Sequence, residues 1–168
     1  MRKRRFGVFT MVMENYFKDL RVKIGHDEII MPGVAGILFD ETRTKVLLEK
    51  RGDGEIGWSL VGGMQNLGES AMTSLQREFK EEAGIDVEIA ALVGVDTNFH
   101  HVFPSGDKAQ IPMFLFEVTQ TGGELQADGD ETLALEFVPL ASHPKMYNVQ
   151  HQLAIDQLIA EVPYGWYN

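Results

Sequence analysis

The chain has 168 residues, enough for one ordinary domain with a real core and too few for two comfortable ones. Its net charge of −10, with 44% hydrophobic and 24% charged residues, marks a globular protein and excludes a general binding surface for nucleic acid polymers. The lack of cysteine excludes disulfides and thiolate zinc sites and fits a cytoplasmic location, while a small anionic substrate stays open if a divalent cation bridges it to the acids.

In chain order, residues 1–5 form a basic tail and residues 6–13 read as a first strand. The apolar part is too short for a signal peptide and is broken by Glu14-Asn15. No apolar run approaches the roughly 20 residues of a membrane span, so no membrane partner is expected. Residues 16–24 look helical. Residues 34–39 and 45–50 read as strands around a turn at 40–43, and so as a hairpin. Residues 58–61 make a short strand ended by Gly62-Gly63. A helix over 69–83 stops at Gly84, the residue type expected in the left-handed position past a helix end. Strands follow at 87–95, 111–119 and 133–138. A last amphipathic helix covers 148–162, with Leu153, Ile155, Leu158, Ile159 and Val162 at helical spacing. The sum is an α/β (α+β) chain, a mixed sheet with helices against it. It reads as a single domain over 1–168, with an extension at 1–30 and a core at 33–162.

The helix at 69–83 carries the chemistry. On a wheel of about 100° per residue, Ala71, Met72, Leu75, Phe79 and Ala83 form one apolar stripe. Glu78 and Glu82 border that stripe instead of facing water, and Glu81 lies close by. Spacings of three and four bring the three acids within about 5–6 Å at their Cβ atoms. Most charge runs are solvated faces. Like charges beside a buried stripe repel, however, and a divalent cation resolves the repulsion, since carboxylates suit Mg²⁺ or Mn²⁺.

The same segment resembles, at every defined position, the signature of the MutT/Nudix family. The positions are Gly63, Glu69, Arg77, Glu78, Phe79, Glu81, Glu82, Gly84 and Ile85. Gly62 and Trp58-Ser59-Leu60 also look like the family, while Val61 stands where many members carry proline. The resemblance implies a Nudix-type layered α/β/α sandwich with a mixed sheet. It implies an enzyme that hydrolyses a diphosphate linkage in a nucleoside diphosphate joined to another group, with Mg²⁺ (or Mn²⁺) as cofactor. The substrate would be a nucleotide sugar or ADP-ribose type compound, or a nucleoside triphosphate.

By the same carry-over, Glu78 and Glu82 are the main metal ligands, with Glu81 as ligand or support and the Gly62 carbonyl completing the site. Gly63, Glu69, Arg77 and Gly84 support the loop and the helix. The general base is Glu78 itself or an acid of the loop at 128–131, with Glu131 first and Asp130 second; that loop reads equally as a plain turn. Phe99 and His101 lie where relatives contact a base or sugar, although solvated residues at a strand end are the blander reading. His151 is expected to pack or cap. A non-catalytic nucleotide sensor on the same fold is the alternative, although such relatives have usually lost signature acids and this chain has lost none. An isoprenoid diphosphate isomerase would need a cysteine. The extension at 1–30 has no place in a minimal fold, which leaves a homodimer as one expected arrangement.

Overall fold

A computed structural model describes residues 10–52 and 57–168, with the backbone alone at 10–15 and 18. The described chain opens with helix α1 (Thr10–Ile24) and the two-residue strand β1 (Ile29–Ile30). Residues 10–13, expected in a strand, are the first turn of α1, so the apolar run there continues into the helix at 16–24. The rest of the expected strand at 6–13 and the basic tail lie outside the described residues.

Strand β2 (Gly33–Leu38) is buried at every position. It pairs in parallel with β9 (Met113–Gly123) on one side and antiparallel with β5 (Val61–Met64) on the other. Strand β6 (Ile85–Asp96) extends the sheet beyond β9, and β11 (Trp166–Tyr167) closes it, in the order β11-β6-β9-β2-β5. A second sheet has the order β10-β3-β4, formed by β3 (Lys45–Arg51), β4 (Trp58–Ser59) and β10 (Thr132–Pro139). A third joins β1 in parallel to the hairpin of β7 (His100–Val102) and β8 (Lys108–Gln110).

The expected hairpin of residues 34–39 with 45–50 is therefore not formed. Only one isolated bridge, Phe39 to Val46, links the two segments. The reason is burial: β2 is apolar on both faces and takes the sheet interior, where β9 and β5 cover its edges. β3 diverges and pairs with β10 and β4 instead.

Helices cover both faces of the large sheet, which makes the layered sandwich expected from the sequence. Helix α2 (Ala71–Glu82) packs Leu75 and Phe79 on Val34, Leu38, Ile85, Val87, Phe116 and Val118. Helix α3 (Val149–Ile159) packs Ala154 and Ile155 with Ala35, Ile37, Val93 and Leu115 on the opposite face. Alternation along β2 explains the split, since Val34 and Leu38 point one way and Ala35 and Ile37 the other.

The helix boundaries follow local chemistry. The Ser70 side chain accepts the Thr73 N–H at 3.1 Å, so α2 starts two residues later than the spacing suggested. Gly84, at φ +74°, follows its end as expected. Met72, assigned to the apolar stripe, is 52% exposed, so the stripe is narrower than the wheel implied. On α3 the Asn148 side chain caps the His151 N–H at 2.9 Å. The buried face there is Gln150, His151, Ala154 and Ile155, while Ile159 is exposed. No helix among the described residues is long and apolar enough to cross a membrane.

Candidate active site

The signature residues converge because two neighbouring elements carry them. β5 presents Gly62 and Gly63 opposite Ala35 and Val34, and α2 lies against β2, β5 and β6. Glu78 and Glu82 are each only 7% exposed, as their place beside the stripe predicts. The Glu78 carboxyl lies directly on Gly63. A Cβ there would stand 2.5 Å from Glu78 Oε1, so any larger residue at the signature glycine would displace the Glu78 carboxyl from this position.

Arg77 organises the acids. Its Nε and Nη2 donate to the two oxygens of Glu69 at 2.9 and 3.1 Å, a bidentate pair. Nη2 also donates to the Met64 carbonyl at 3.2 Å, and Nη1 pairs with Glu78 at 2.8 Å and Glu81 at 3.1 Å. Glu69 in turn accepts from the Asn66 backbone and side-chain amides, both at 3.1 Å. Arg77 and Glu69 thus tie the loop before α2 to the helix. Burial pushes Glu69 up, but the bonds from Arg77 and Asn66 outweigh it and hold its carboxyl at about 2. Burial opposes the Arg77 charge, and the Glu69 and Glu78 carboxylates more than restore it.

Glu78 and Glu82 move the other way. Burial, only partly offset by Arg77, raises Glu78 to about 7, with Glu81 and Glu131 adding repulsion. Glu82 is also raised well above the ordinary carboxylate range, by burial, by Glu49 and by Glu78. Glu49 on β3 is a third buried acid, outside the signature and absent from the sequence reading, although its phase with Leu47 already placed it on an inward face. Its carboxyl is in contact with that of Glu82; burial raises both groups and the contact also raises Glu82, so a proton or a cation must offset the two charges.

Glu78 and Glu82, but not Glu49, line a cavity of about 450 Å³. Gly62, Gly63, Arg77, Glu78, Glu81 and Glu82 form one wall, and Glu131 reaches the same cavity from the loop before β10. That loop is also a turn, with Asp128 Oδ1 accepting the N–H groups of Asp130 and Thr132 at 2.9 Å each. Asp130 does not line the cavity. His101, Phe103 and Pro104 from the β7–β8 hairpin and Phe17 from α1 also line it. His101 meets Phe103 edge to face at 4.6 Å. Phe99 stacks on His101 at 5.7 Å but lies outside this cavity, packed with Met31, Ala109 and Ile111.

Phe17 and Phe103 were not singled out from the sequence, because a helix and a hairpin turn distant in the chain bring them in. Arg21 of α1 fixes that approach by donating to the Lys108 carbonyl at 2.9 Å and pairing with Asp107 at 3.3 Å. Arg51 also lines the cavity, with its guanidinium 4.5 Å over the Tyr147 ring. Behind it His151 is buried and accepts the Leu60 N–H at 3.0 Å. Burial and the Arg51 charge hold that imidazole neutral, down at about 3, so it packs as expected and carries no proton to the site at ordinary pH.

The donor chemistry of the acid wall suits a hard divalent cation. Glu82 Oε2 is buried without a hydrogen-bond partner, and an unsatisfied buried carboxylate oxygen calls for a proton or a cation. As placed, no three acids among the described residues converge on one point at ligand distance, and Arg77 holds Glu78 and Glu81 to itself.

A family model described as the NUDIX domain matches residues 30–158. A Bacillus subtilis (strain 168) protein provisionally named 8-oxo-dGTP diphosphatase is 36% identical over 106 residues, covering 63% of this chain and 64% of the relative. A Methanocaldococcus jannaschii protein named ADP-ribose pyrophosphatase is 32% identical over 118 residues, covering 68% of this chain and 66% of the relative. The matched stretch thus spans slightly under two thirds of each relative's length. Among solved structures, one titled as an ADP-ribose pyrophosphatase from Streptococcus suis superposes with a TM-score of 0.62 at 26% identity. It covers 83% of this chain and 100% of its own.

Proposed function

Because the chain belongs to the Nudix family, we propose that it hydrolyses the diphosphate linkage of a nucleoside diphosphate derivative in a divalent-metal-dependent reaction. The observation that carries this reading is the burial of Glu78 and Glu82 side by side in the lining of a cavity that Phe17, His101 and Phe103 also line. Glu78 and Glu82 would hold Mg²⁺ (or Mn²⁺), with the Gly62 carbonyl and Glu81 completing the set. Bound there, a divalent cation neutralises diphosphate charge and lowers the pKa of the attacking water. That Glu131 lines the cavity from a separate loop supports its reading as the base that would accept the water's proton, with Glu78 as the other base. His101, Phe103 and Phe17 offer faces for a planar base, and Arg51 offers a cation for the far phosphate or sugar oxygens. The names of the two relatives direct the choice of substrates to ADP-ribose, nucleotide sugars and normal or oxidised nucleoside triphosphates.

The test is product formation from a panel of these compounds, each with Mg²⁺, with Mn²⁺ and with chelator. One compound cleaved at the diphosphate only with metal is the expected result. Cleavage unaffected by chelator would overturn the metal reading, and inertness of the whole panel would overturn the hydrolase reading for these substrates.

Stability offers an independent check. Glu78 titrates near 7 in the fold against an ordinary 4.5, so between those values the folded state holds the extra proton. Its contribution is present below about 4.5 and is lost as pH rises through about 7; Glu82 acts in the same direction. In chelator, the melting temperature should therefore lose ground across that window relative to Glu78→Gln, and Mg²⁺ should raise it most at the upper end. A Mg²⁺ effect equal at both ends would contradict a site made of these two acids.

A further inference from the structure

Glu49 lies outside the signature and is 2% exposed. It shares with Leu47 the face of β3 turned toward α2, where Leu47 packs with Leu75 and Phe79. Glu49 Oε1 accepts from Ser59 Oγ at 2.7 Å and Oε2 from Thr132 Oγ1 at 2.9 Å. Ser59 sits directly opposite on β4 and Thr132 on β10, the two strands that flank β3. The same carboxyl touches that of Glu82 at the end of α2. One side chain thereby joins three strands to a proposed metal ligand.

Packing gives no reason for a carboxylate here. A glutamine would keep the shape, and both hydroxyl contacts once Ser59 or Thr132 turned to accept from its amide, without adding negative charge beside Glu82 and Glu78, and burying a further charge among like charges is unfavourable. Arg51 Nη1, 3.9 Å from Glu49 Oε1, offsets part of that charge. Glu82 Oε2 is buried and without a protein donor, which independently points to a positive ligand on the Glu82 side.

We propose that Glu49 is a positioning residue for the divalent-cation site: anchored by Ser59 and Thr132, it fixes the Glu82 carboxyl and places negative charge behind it, strengthening the hold on the ion. The inference rests on the reading of Glu78 and Glu82 as metal ligands. Residues that orient a ligating side chain change metal affinity when replaced, although the reacting groups remain intact.

The experiment is Mn²⁺ titration of the chelator-stripped 168-residue chain, followed by the electron paramagnetic resonance signal of free Mn²⁺, for wild type, Glu49→Gln and Glu82→Gln. Glu49→Gln should bind Mn²⁺ about 10-fold or more weakly. Its lost turnover should recover at high metal, with the nucleotide KM unchanged. Wild-type affinity in Glu49→Gln beside weakened binding in Glu82→Gln overturns the role of Glu49 alone. Wild-type affinity in both variants overturns the metal reading beneath it. Should Glu49→Gln fail to fold, Thr132→Val decides the question, since it removes one anchor and keeps every charge: weaker Mn²⁺ binding supports the proposal and unchanged binding overturns it.

Discussion

Glu82→Gln and Glu78→Gln should each lower kcat by about 10²–10⁴-fold while the protein stays folded, a loss typical of removing a positioned acid–base or metal-ligating group. At 1.36 kcal/mol per tenfold, that range corresponds to about 3–5 kcal/mol of transition-state stabilisation. The structure separates this loss from unfolding. Both carboxyls are buried and both are raised above the ordinary carboxylate range, so the fold holds them against their preference for water. A neutral amide of the same shape removes that conflict. Without metal, the variants should therefore melt no lower than the wild type, and Glu82→Gln, beside Glu49, should melt higher. Function would be lost where stability is gained, as at sites assembled against local electrostatics.

The two variants should also differ from each other. Glu82 has no protein donor on Oε2, so its replacement should chiefly weaken metal binding and be partly rescued by excess Mg²⁺. Glu78 is paired to Arg77 at 2.8 Å and shares the cavity lining with Glu131, so its loss should resist rescue if it also handles the proton. Steady-state rates over a Mg²⁺ series, with calorimetric melting of each variant, make the measurement. Turnover within twofold of wild type in both variants would end the reading of these acids as the reacting centre.

The acids were legible because a helix has one period and the signature fills it. Glu78 and Glu82 bordered the stripe on the wheel, and they are buried beside Leu75 and Phe79. Strand pairing was less legible, since it depends on partners far along the chain. Residues 34–39 and 45–50 are adjacent in sequence, yet β2 pairs with β9 some 80 residues away, because only the sheet interior covers both of its apolar faces. The aromatic part of the cavity lining was harder still. Phe17 enters from a helix whose first described turn read as strand, and Phe103 from a hairpin turn. Aromatic residues at such places carry no spacing signal. Glu49 did carry one, as an acid in phase with Leu47 on a strand buried on both sides, but a charge at the end of a strand reads more readily as a solvated edge.

Phe79→Ala should have the largest effect on the fold, about 3–5 kcal/mol of lost stability. Phe79 is fully buried and occupies the signature position between the two acids. Its ring lies over Gly36 of β2, where a Cβ would stand 2.3 Å from Phe79 Cε2. The ring therefore seats α2 on the central strand, and with it the helix face that carries Glu78 and Glu82. No nearby side chain can fill the gap without moving the helix, because Leu75, Val34 and Phe116 are held in the same cluster. In a chain of this size each kcal/mol shifts the melting temperature by roughly 2–4 °C, so a fall of about 10 °C or more is expected. Urea unfolding should show a lower midpoint with little change in slope, the mark of a destabilised native state. Activity at low temperature should fall by more than the unfolded fraction alone explains, because the acids ride on the loosened helix. Phe79→Leu, which keeps much of the apolar volume, should recover most of the stability. A Phe79→Ala protein that melts within about 2 °C of wild type would mean that α2 is held by its caps and by Arg77, and that Phe79 is not the anchor its burial implies.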